Sequence, residues 1–176
     1  APPPPPPVKG KKPVPVAVPP PPSSSPDLAV LVRDRDARVR RRAALALGRV
    51  KSTAGVPLLV AALPDTDPDV RAMAALALGL VGDGSAESAL APLLTDTSPR
   101  VRGRAAEALG LIGAKGSAPA IGQMVAEYAT SAPVAAMQPD DEAAAVAPEA
   151  EAFKLGLFAL VPVFIRKFRS ARAAKA

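Results

Sequence analysis

The residues of this chain that can do chemistry are carboxylates, lysines and arginines, because its 176 residues include no His, no Cys and no Trp. Zinc and haem sites normally use His or Cys, and hydrolytic triads use His, so these classes of site are excluded. Asp140, Asp141 and Glu142 are adjacent carboxylates that would attract a hard cation, but they lack the Asp, Gly and Glu spacing of a calcium-binding loop. We therefore expect no metal, no cofactor and no catalytic residue.

The other charged residues recur at a fixed interval. A shift of thirty-one residues aligns three blocks without a gap, and each block places an aspartate six residues before an arginine. The same shift superimposes apolar residues, for example Leu47, Leu78 and Leu109. A period of this length is typical of a solenoid, in which each repeat is one supersecondary unit. The charged pairs are Asp34 with Arg40, Asp65 with Arg71 and Asp96 with Arg102.

Each repeat is predicted to consist of two helices. Asp36, Asp67 and Ser98 stand at N-cap positions, since their side-chain oxygens can accept hydrogen bonds from the free N–H groups of a first helical turn. Val, Ala and Leu follow at helical spacing, and a glycine repeated in every block suits the helix end, or a point two residues before it. The partner helices are predicted at roughly 54–63, 85–94 and 116–129.

The repeated pattern D-x-D/S-P-x-V-R-x-x-A-A-x-A-L-G resembles HEAT repeats, in particular the short bacterial HEAT-like repeats of the phycobilisome-lyase type. The resemblance covers about residues 27–129, with a weaker match at 151–161. It implies an all-α fold, a right-handed α-solenoid of about four helical hairpins. It also implies that the turn aspartates and the later arginines form a structural ladder between successive repeats, made of Asp34, Arg40, Asp65, Arg71, Asp96 and Arg102.

Composition divides the chain into four segments. Residues 1–26 are rich in Pro and Lys and are predicted to be a disordered arm, since Pro fixes φ and removes a hydrogen-bond donor. We expect a semi-rigid spacer, with a ligand for a reader of Pro-rich motifs as the alternative. Residues 27–129 hold the repeats, and residues 130–150 are an acidic, Ala- and Pro-rich loop inserted into the last repeat. The chain starts without Met, which leaves a cytoplasmic and an exported or cell-envelope location open.

The fourth segment, residues 151–176, is predicted to be a C-terminal helix with a basic tail, which Pro162 should kink or end. It carries all four Phe of the chain, and six basic residues against one acid. We expect its apolar side to cover the exposed end of the solenoid, because solenoid ends need a cap. The alternatives are a helix that rests on the surface of an anionic membrane, or an array that continues beyond this segment.

In HEAT-like proteins the second helix of each repeat lines the inner curve, so the variable positions there are candidate contact residues. They form either a solvated basic face or a patch for an acidic protein partner. Nucleic acid is a poorer partner, because no aromatic side chain is interleaved with the basic residues for base stacking. The candidate partner-binding residues are Arg38, Arg41, Arg42, Met73, Arg100 and Arg104.

The sequence thus favours a non-catalytic module that binds or scaffolds a protein partner. A fold alone does not define a function, and the resemblance allows a second hypothesis, a subunit like a phycobilin lyase or a chromophore chaperone. A third hypothesis is an adaptor that associates with a membrane surface through its basic C-terminal helix. HEAT-like metal hydroxylases need paired His–Glu motifs, so the absence of His excludes this class of enzyme.

Overall fold

The structure, a computed structural model, describes residues 24–131, residue 134 and residues 147–173, with side chains described from Leu28 onward and, in the last helix, up to Val161. Within these ranges every regular element is helical, as the sequence predicts. The predicted arm up to residue 23 and most of the predicted acidic loop lie outside the described residues. The α-helices are α1 (Ser24–Leu31), α2 (Ala37–Val50), α3 (Val56–Ala62), α4 (Pro68–Val81), α5 (Glu87–Leu90), α6 (Pro99–Leu111), α7 (Ala118–Ala129) and α8 (Pro148–Ala173).

These helices form consecutive hairpins, and the second helices α2, α4, α6 and α8 pack on one another in that order. The first helices supply equivalent core residues at the thirty-one-residue interval. Leu59, Leu90 and Ile121 form one such row and are completely or almost completely buried. The fold is therefore an α-solenoid in which each hairpin buries its apolar face against its neighbours. A second row of buried residues, in or directly after the first helices, consists of Val32, Leu63, Leu94 and Val125.

Glycine allows the second helices to approach each other closely. A Cβ atom at Gly48 would lie 2.7 Å from the Cα atom of Ala77, and one at Gly79 would lie 2.6 Å from the Cα atom of Ala108. Real Cβ atoms essentially never come this close to a backbone atom, so a side chain at either position would push the helices apart. The repeated glycine lies inside each helix, two residues or one residue before its last residue, and its main role is this contact between helices.

The two helices of the last hairpin are farther apart in the sequence than those of the other hairpins. α8 packs against α6 and α7, which makes it the second helix of the fourth repeat although eighteen residues separate it from α7. A Cβ atom at Gly103 of α6 would lie 2.7 Å from the Cα atom of Ala152 of α8. One at Gly110 would lie 2.8 Å from the Cα atom of Ala159. Gly103 is therefore needed for the close packing of α6 against α8.

Several boundaries differ from the prediction for identifiable reasons. α1 begins at Ser24, within the predicted arm, because Pro26 falls in the first turn, where its missing N–H has no intrahelical partner. α5 ends at Leu90 and continues as a 3₁₀ turn, because Pro92 cannot donate the next helical hydrogen bond. α8 begins at Pro148 and continues past Pro162 to Ala173, so the prediction that Pro162 ends the helix is wrong.

The predicted N-caps are present in two of the three repeats. The carboxylate of Asp36 accepts a hydrogen bond from the N–H of Arg38, and that of Asp67 accepts from Asp69 and Val70. Ser98 occupies the same position but makes no side-chain capping bond, so this part of the prediction is wrong. The turn before α6 is held by Asp96, whose carboxylate accepts the N–H of Ser98 at 2.8 Å.

Candidate functional site

The repeated arginines and aspartates form a row of ion pairs along the solenoid. Arg40 donates from Nε and Nη2 to the two carboxylate oxygens of Asp65, at 2.7 and 2.8 Å, and from Nη1 to the carbonyl oxygen of Asp34 at 2.9 Å. Arg71 makes the same contacts one repeat later, with the carboxylate of Asp96 and the carbonyl of Asp65. Each arginine therefore binds the backbone of its own repeat and the carboxylate of the next.

The last step of this row uses a residue that the sequence prediction missed. Arg102 donates from Nε to the carbonyl oxygen of Asp96 and from Nη1 to Glu127 at 2.9 Å, and its guanidinium lies 5.6 Å from the ring centre of Tyr128. Glu127 lies thirty-one residues after Asp96, so it takes the aspartate position in the fourth repeat. The thirty-one-residue period identifies Glu127 as the equivalent of Asp96, but the predicted motif allowed only aspartate at this position.

Electrostatics favour the ionised form of the ladder carboxylates. The hydrogen bonds from Arg40 hold the pKa of Asp65 below its usual value. Burial opposes ionisation of Asp96, but hydrogen bonds from Arg71 and from the backbone of Ser98 outweigh it, and the pKa of Asp96 is also lowered. In both pairs the guanidinium donors point at protein acceptors. The geometry is that of a structural element between repeats, with few donors left for a ligand.

A second set of charges, at neighbouring positions of the same helices, lines a groove. The groove crosses four successive second helices, and it is open to solvent. Its volume is about 230 Å³. The residues that line it are Arg41 of α2, Asp69, Ala72 and Met73 of α4, Arg100 and Arg104 of α6, and Glu151 of α8.

The arginines of the groove are paired more loosely than those of the ladder. Asp69 lies between Arg100, at 2.8 Å, and Arg41, at 3.5 Å. The side chains of Arg41 and Arg100 remain 42% and 51% exposed, so several of their N–H donors face solvent. Ion pairs this exposed contribute little to stability. These two guanidinium groups are therefore available to an anionic group that enters the groove.

The far end of the groove is more tightly fixed. Arg104 donates from Nη1 to Glu107 and from Nη2 to Glu151, both at 2.8 Å. Ala72 is buried and Met73 is half-buried, and together they supply an apolar floor between the charged ends. The groove thus combines two partly exposed guanidinium groups, a methionine surface and two carboxylates, Asp69 and Glu151, that are each paired with arginine.

The structure brings together four of the six residues predicted to contact a partner, namely Arg41, Met73, Arg100 and Arg104. Arg38 and Arg42 are exposed on α2 and do not line the groove.

Three lining residues were absent from the predicted set. Asp69 and Ala72 lie at the same repeat positions as Arg38 and Arg41, but the prediction favoured basic residues. Glu151 follows Arg100 by the thirty-one-residue period plus an insertion of twenty residues, and the sequence contained that signal as well.

Among the residues that the structure describes, no group of carboxylates is arranged to hold a metal ion. The adjacent acids Asp140, Asp141 and Glu142 lie outside the described residues.

The fold and the groove define a class of protein, a short helical-repeat solenoid with an open groove on its second helices. The family model for HEAT repeats matches residues 56–137, and the model for the PBS lyase HEAT-like repeat matches residues 39–63. The two family models thus identify HEAT repeats within residues 39–137, as the sequence pattern predicts. No curated protein matches the chain.

The solved structures that are similar to this chain include the following two. One is the complex of CpcE and CpcF of phycocyanin lyase from Nostoc sp. PCC7120, with 28% sequence identity and a TM-score of 0.60. The match covers 86% of this chain but only 57% of that one, so this chain spans little more than half the length of its match. The other is an engineered protein of the Northeast Structural Genomics Consortium, with 26% identity and a TM-score of 0.51, covering 76% of this chain and 60% of that one.

Proposed function

We propose that this chain is a non-catalytic module that binds a protein partner through the groove on its second helices. The observation that carries the proposal is the convergence of Arg41, Met73 and Arg100, from three successive repeats, on one open groove. Met and Arg are enriched in protein interfaces, where a methionine surface adapts to the partner and a guanidinium fixes its orientation. The ladder positions keep arginine in three repeats and a carboxylate in each acceptor position, whereas the positions that form the groove vary.

The groove favours a partner segment that carries a carboxylate beside an aliphatic side chain. The carboxylate would bind Arg41 and Arg100, whose donors face solvent, and the aliphatic group would pack on Met73. The volume of about 230 Å³ is below the range of roughly 300–1,000 Å³ of sites for drug-sized ligands. This size suits one or two side chains of a protein better than an entire cofactor.

The proposal that the module is not an enzyme rests on the sequence. Without His or Cys, the commonest general base, the thiol nucleophile and the usual zinc ligands are missing, and both carboxylates of the groove, Asp69 and Glu151, are paired with arginine. Recognition by shape and charge is the activity that these residues support best.

A pull-down with matched variants tests the proposal. The double variant Arg41→Ala, Arg100→Ala removes the available guanidinium groups of the groove. The control Arg33→Ala, Arg35→Ala removes the same charge from two exposed arginines outside the groove. We expect a protein retained by the wild-type chain and by the control to be lost with the groove variant. Equal retention by both double variants, with unchanged circular dichroism, would contradict the proposal.

A lyase-type subunit is the second candidate function, and the similarity to the CpcE–CpcF complex favours it. This chain covers only 57% of its match, and the groove is small, so such a role would require a partner to complete the site. Mixing the chain with a free bilin and recording the absorption spectrum tests this candidate. A shifted and sharpened visible band supports it, and an unchanged spectrum favours the protein-binding module.

A further inference from the structure

The last helix, α8, has two apolar faces, and within the described residues only one of them is packed. The inner face carries Ala152 and Ala159, which are buried against α6, and Gly156, where a Cβ atom would lie 2.5 Å from Val125 of α7. The opposite face carries Leu157, Phe158 and Val161, which are 44%, 73% and 47% exposed. One face thus closes the fourth hairpin, and the other leaves large apolar side chains in solvent.

The outer face is unsuited to a further repeat of the same kind. In α4 and α6 the residue two positions after the packed alanine is Gly79 or Gly110, which lets the next helix approach closely. The corresponding residue of α8, two positions after Ala159, is Val161. Its side chain occupies the place into which the next helix would pack. A different occupant is needed to cover the three exposed residues.

Charge indicates what that occupant is. From Ala152 to the last residue the chain has no acid. Leu157 and Val161 share their helical register with positions 164, 165 and 168, which are Phe, Ile and Phe. A helix that combines a bulky apolar face with a high density of positive charge is typical of helices that lie in a membrane interface. The basic residues of α8 are Lys154, Arg166, Lys167, Arg169 and Arg172, and Lys175 follows outside the described residues.

We propose that the outer face of α8 binds the surface of an anionic lipid bilayer. Leu157, Phe158 and Val161 enter the interface between head groups and acyl chains, and the positive charge of this part of the sequence favours anionic head groups. A second copy of the chain is a poorer occupant, because both copies carry only positively charged side chains from Ala152 onward. This contact does not depend on the groove.

None of the described helices is long and apolar enough to cross a bilayer.

Vesicle co-sedimentation of the full chain tests the proposal. The vesicles are phosphatidylcholine alone, or phosphatidylcholine mixed with phosphatidylglycerol. We expect binding to the mixed vesicles only, with a loss at high salt. Phe158→Asp should weaken binding by about tenfold or more, since it removes one large apolar side chain and adds a negative charge. The control Val50→Asp makes the same kind of change at a half-exposed valine at the other end of the array, and it should bind like the wild-type chain.

Four outcomes would overturn the proposal. They are no sedimentation with mixed vesicles, equal binding to neutral vesicles, full binding by Phe158→Asp, and equal loss in both variants. Analytical ultracentrifugation identifies the competing occupant. A dimer that Phe158→Asp converts to a monomer, without lipid binding by the wild-type chain, would assign the face to a second copy. Circular dichroism of both variants shows that the helices are retained.

Discussion

Arg40 and Arg41 are neighbours in the sequence, yet they belong to two regions with different tasks. Arg40 belongs to the ladder, where its guanidinium makes a bidentate pair with Asp65 and a third bond to a backbone carbonyl. Arg41 belongs to the groove, where its ion pair with Asp69 is 3.5 Å long. The residue type is the same, but the donors of Arg40 bind acceptors within the protein, whereas Arg41 keeps donors that face solvent and can bind a ligand.

The difference follows from helix geometry. Successive residues of a helix are about 100° apart, so a one-residue step turns a side chain from the hairpin turn of the next repeat toward the open groove. The ladder position holds arginine in α2, α4 and α6, whereas the neighbouring position holds Arg41, Ala72 and Gly103. A position that must satisfy the same partner in every repeat stays the same, and a position that faces solvent is free to carry specificity.

The largest expected effect is on the spacing of the helices, on which both rows of arginines depend. Gly79→Ala places a Cβ atom 2.6 Å from the backbone of Ala108, so we expect a loss of about 3 kcal/mol of unfolding free energy from overpacking. Gly122→Ala is the matched control, since nothing lies within 4 Å of its Cβ position in α7. It should gain about 0.5–1 kcal/mol from helix propensity. Urea unfolding of both variants measures the difference, and equal effects would contradict the close packing.

The next largest effect is a difference between the ladder and the groove when one aspartate of each is replaced by asparagine. Asp96→Asn removes the carboxylate that pairs with Arg71, and the side chains of Arg71 and Asp96 are only 15% and 11% exposed. We expect the free energy of unfolding to fall by about 2 kcal/mol, which lies between the values for exposed and buried ion pairs. Asp69→Asn in the groove should cost less than about 0.5 kcal/mol, because its partners are half exposed. Urea unfolding at neutral pH checks both values, and a larger cost for Asp69→Asn would reverse the assignment.

The lowered pKa values of Asp65 and Asp96 predict a pH dependence of the ladder. A carboxyl whose pKa is depressed by folding stabilises the protein above its unfolded pKa, near 3.9, and this contribution is lost as the pH falls through the folded pKa. The wild-type chain should therefore lose stability between about pH 5 and pH 2. Asp96→Asn should lose less over the same range. A parallel loss in both proteins, measured by urea unfolding, would show that the ladder does not titrate in this way.

The sequence predicted the array because the period recurs in residues that face the core, such as Leu47, Leu78 and Leu109. It also predicted most of the groove, since variable positions on the second helices fall on one face. It did not predict that Asp69 is shared by two arginines, because ion pairs between side chains from different repeats depend on the distance between helices. The sequence left open whether the apolar side of α8 caps the solenoid or stays exposed, because an apolar residue such as Phe158 looks the same in the sequence whether it is covered or not.

The central claim is that the ladder maintains the fold and the groove binds the partner, and one paired comparison tests it most directly. Unfolding free energy and retention of the partner protein are measured for Arg71→Ala and for Arg100→Ala. We predict that Arg71→Ala lowers stability and, when folded, keeps the partner, whereas Arg100→Ala leaves stability almost unchanged and weakens retention. If Arg100→Ala binds the partner like the wild-type chain, or unfolds as readily as Arg71→Ala, the division between the two rows is contradicted.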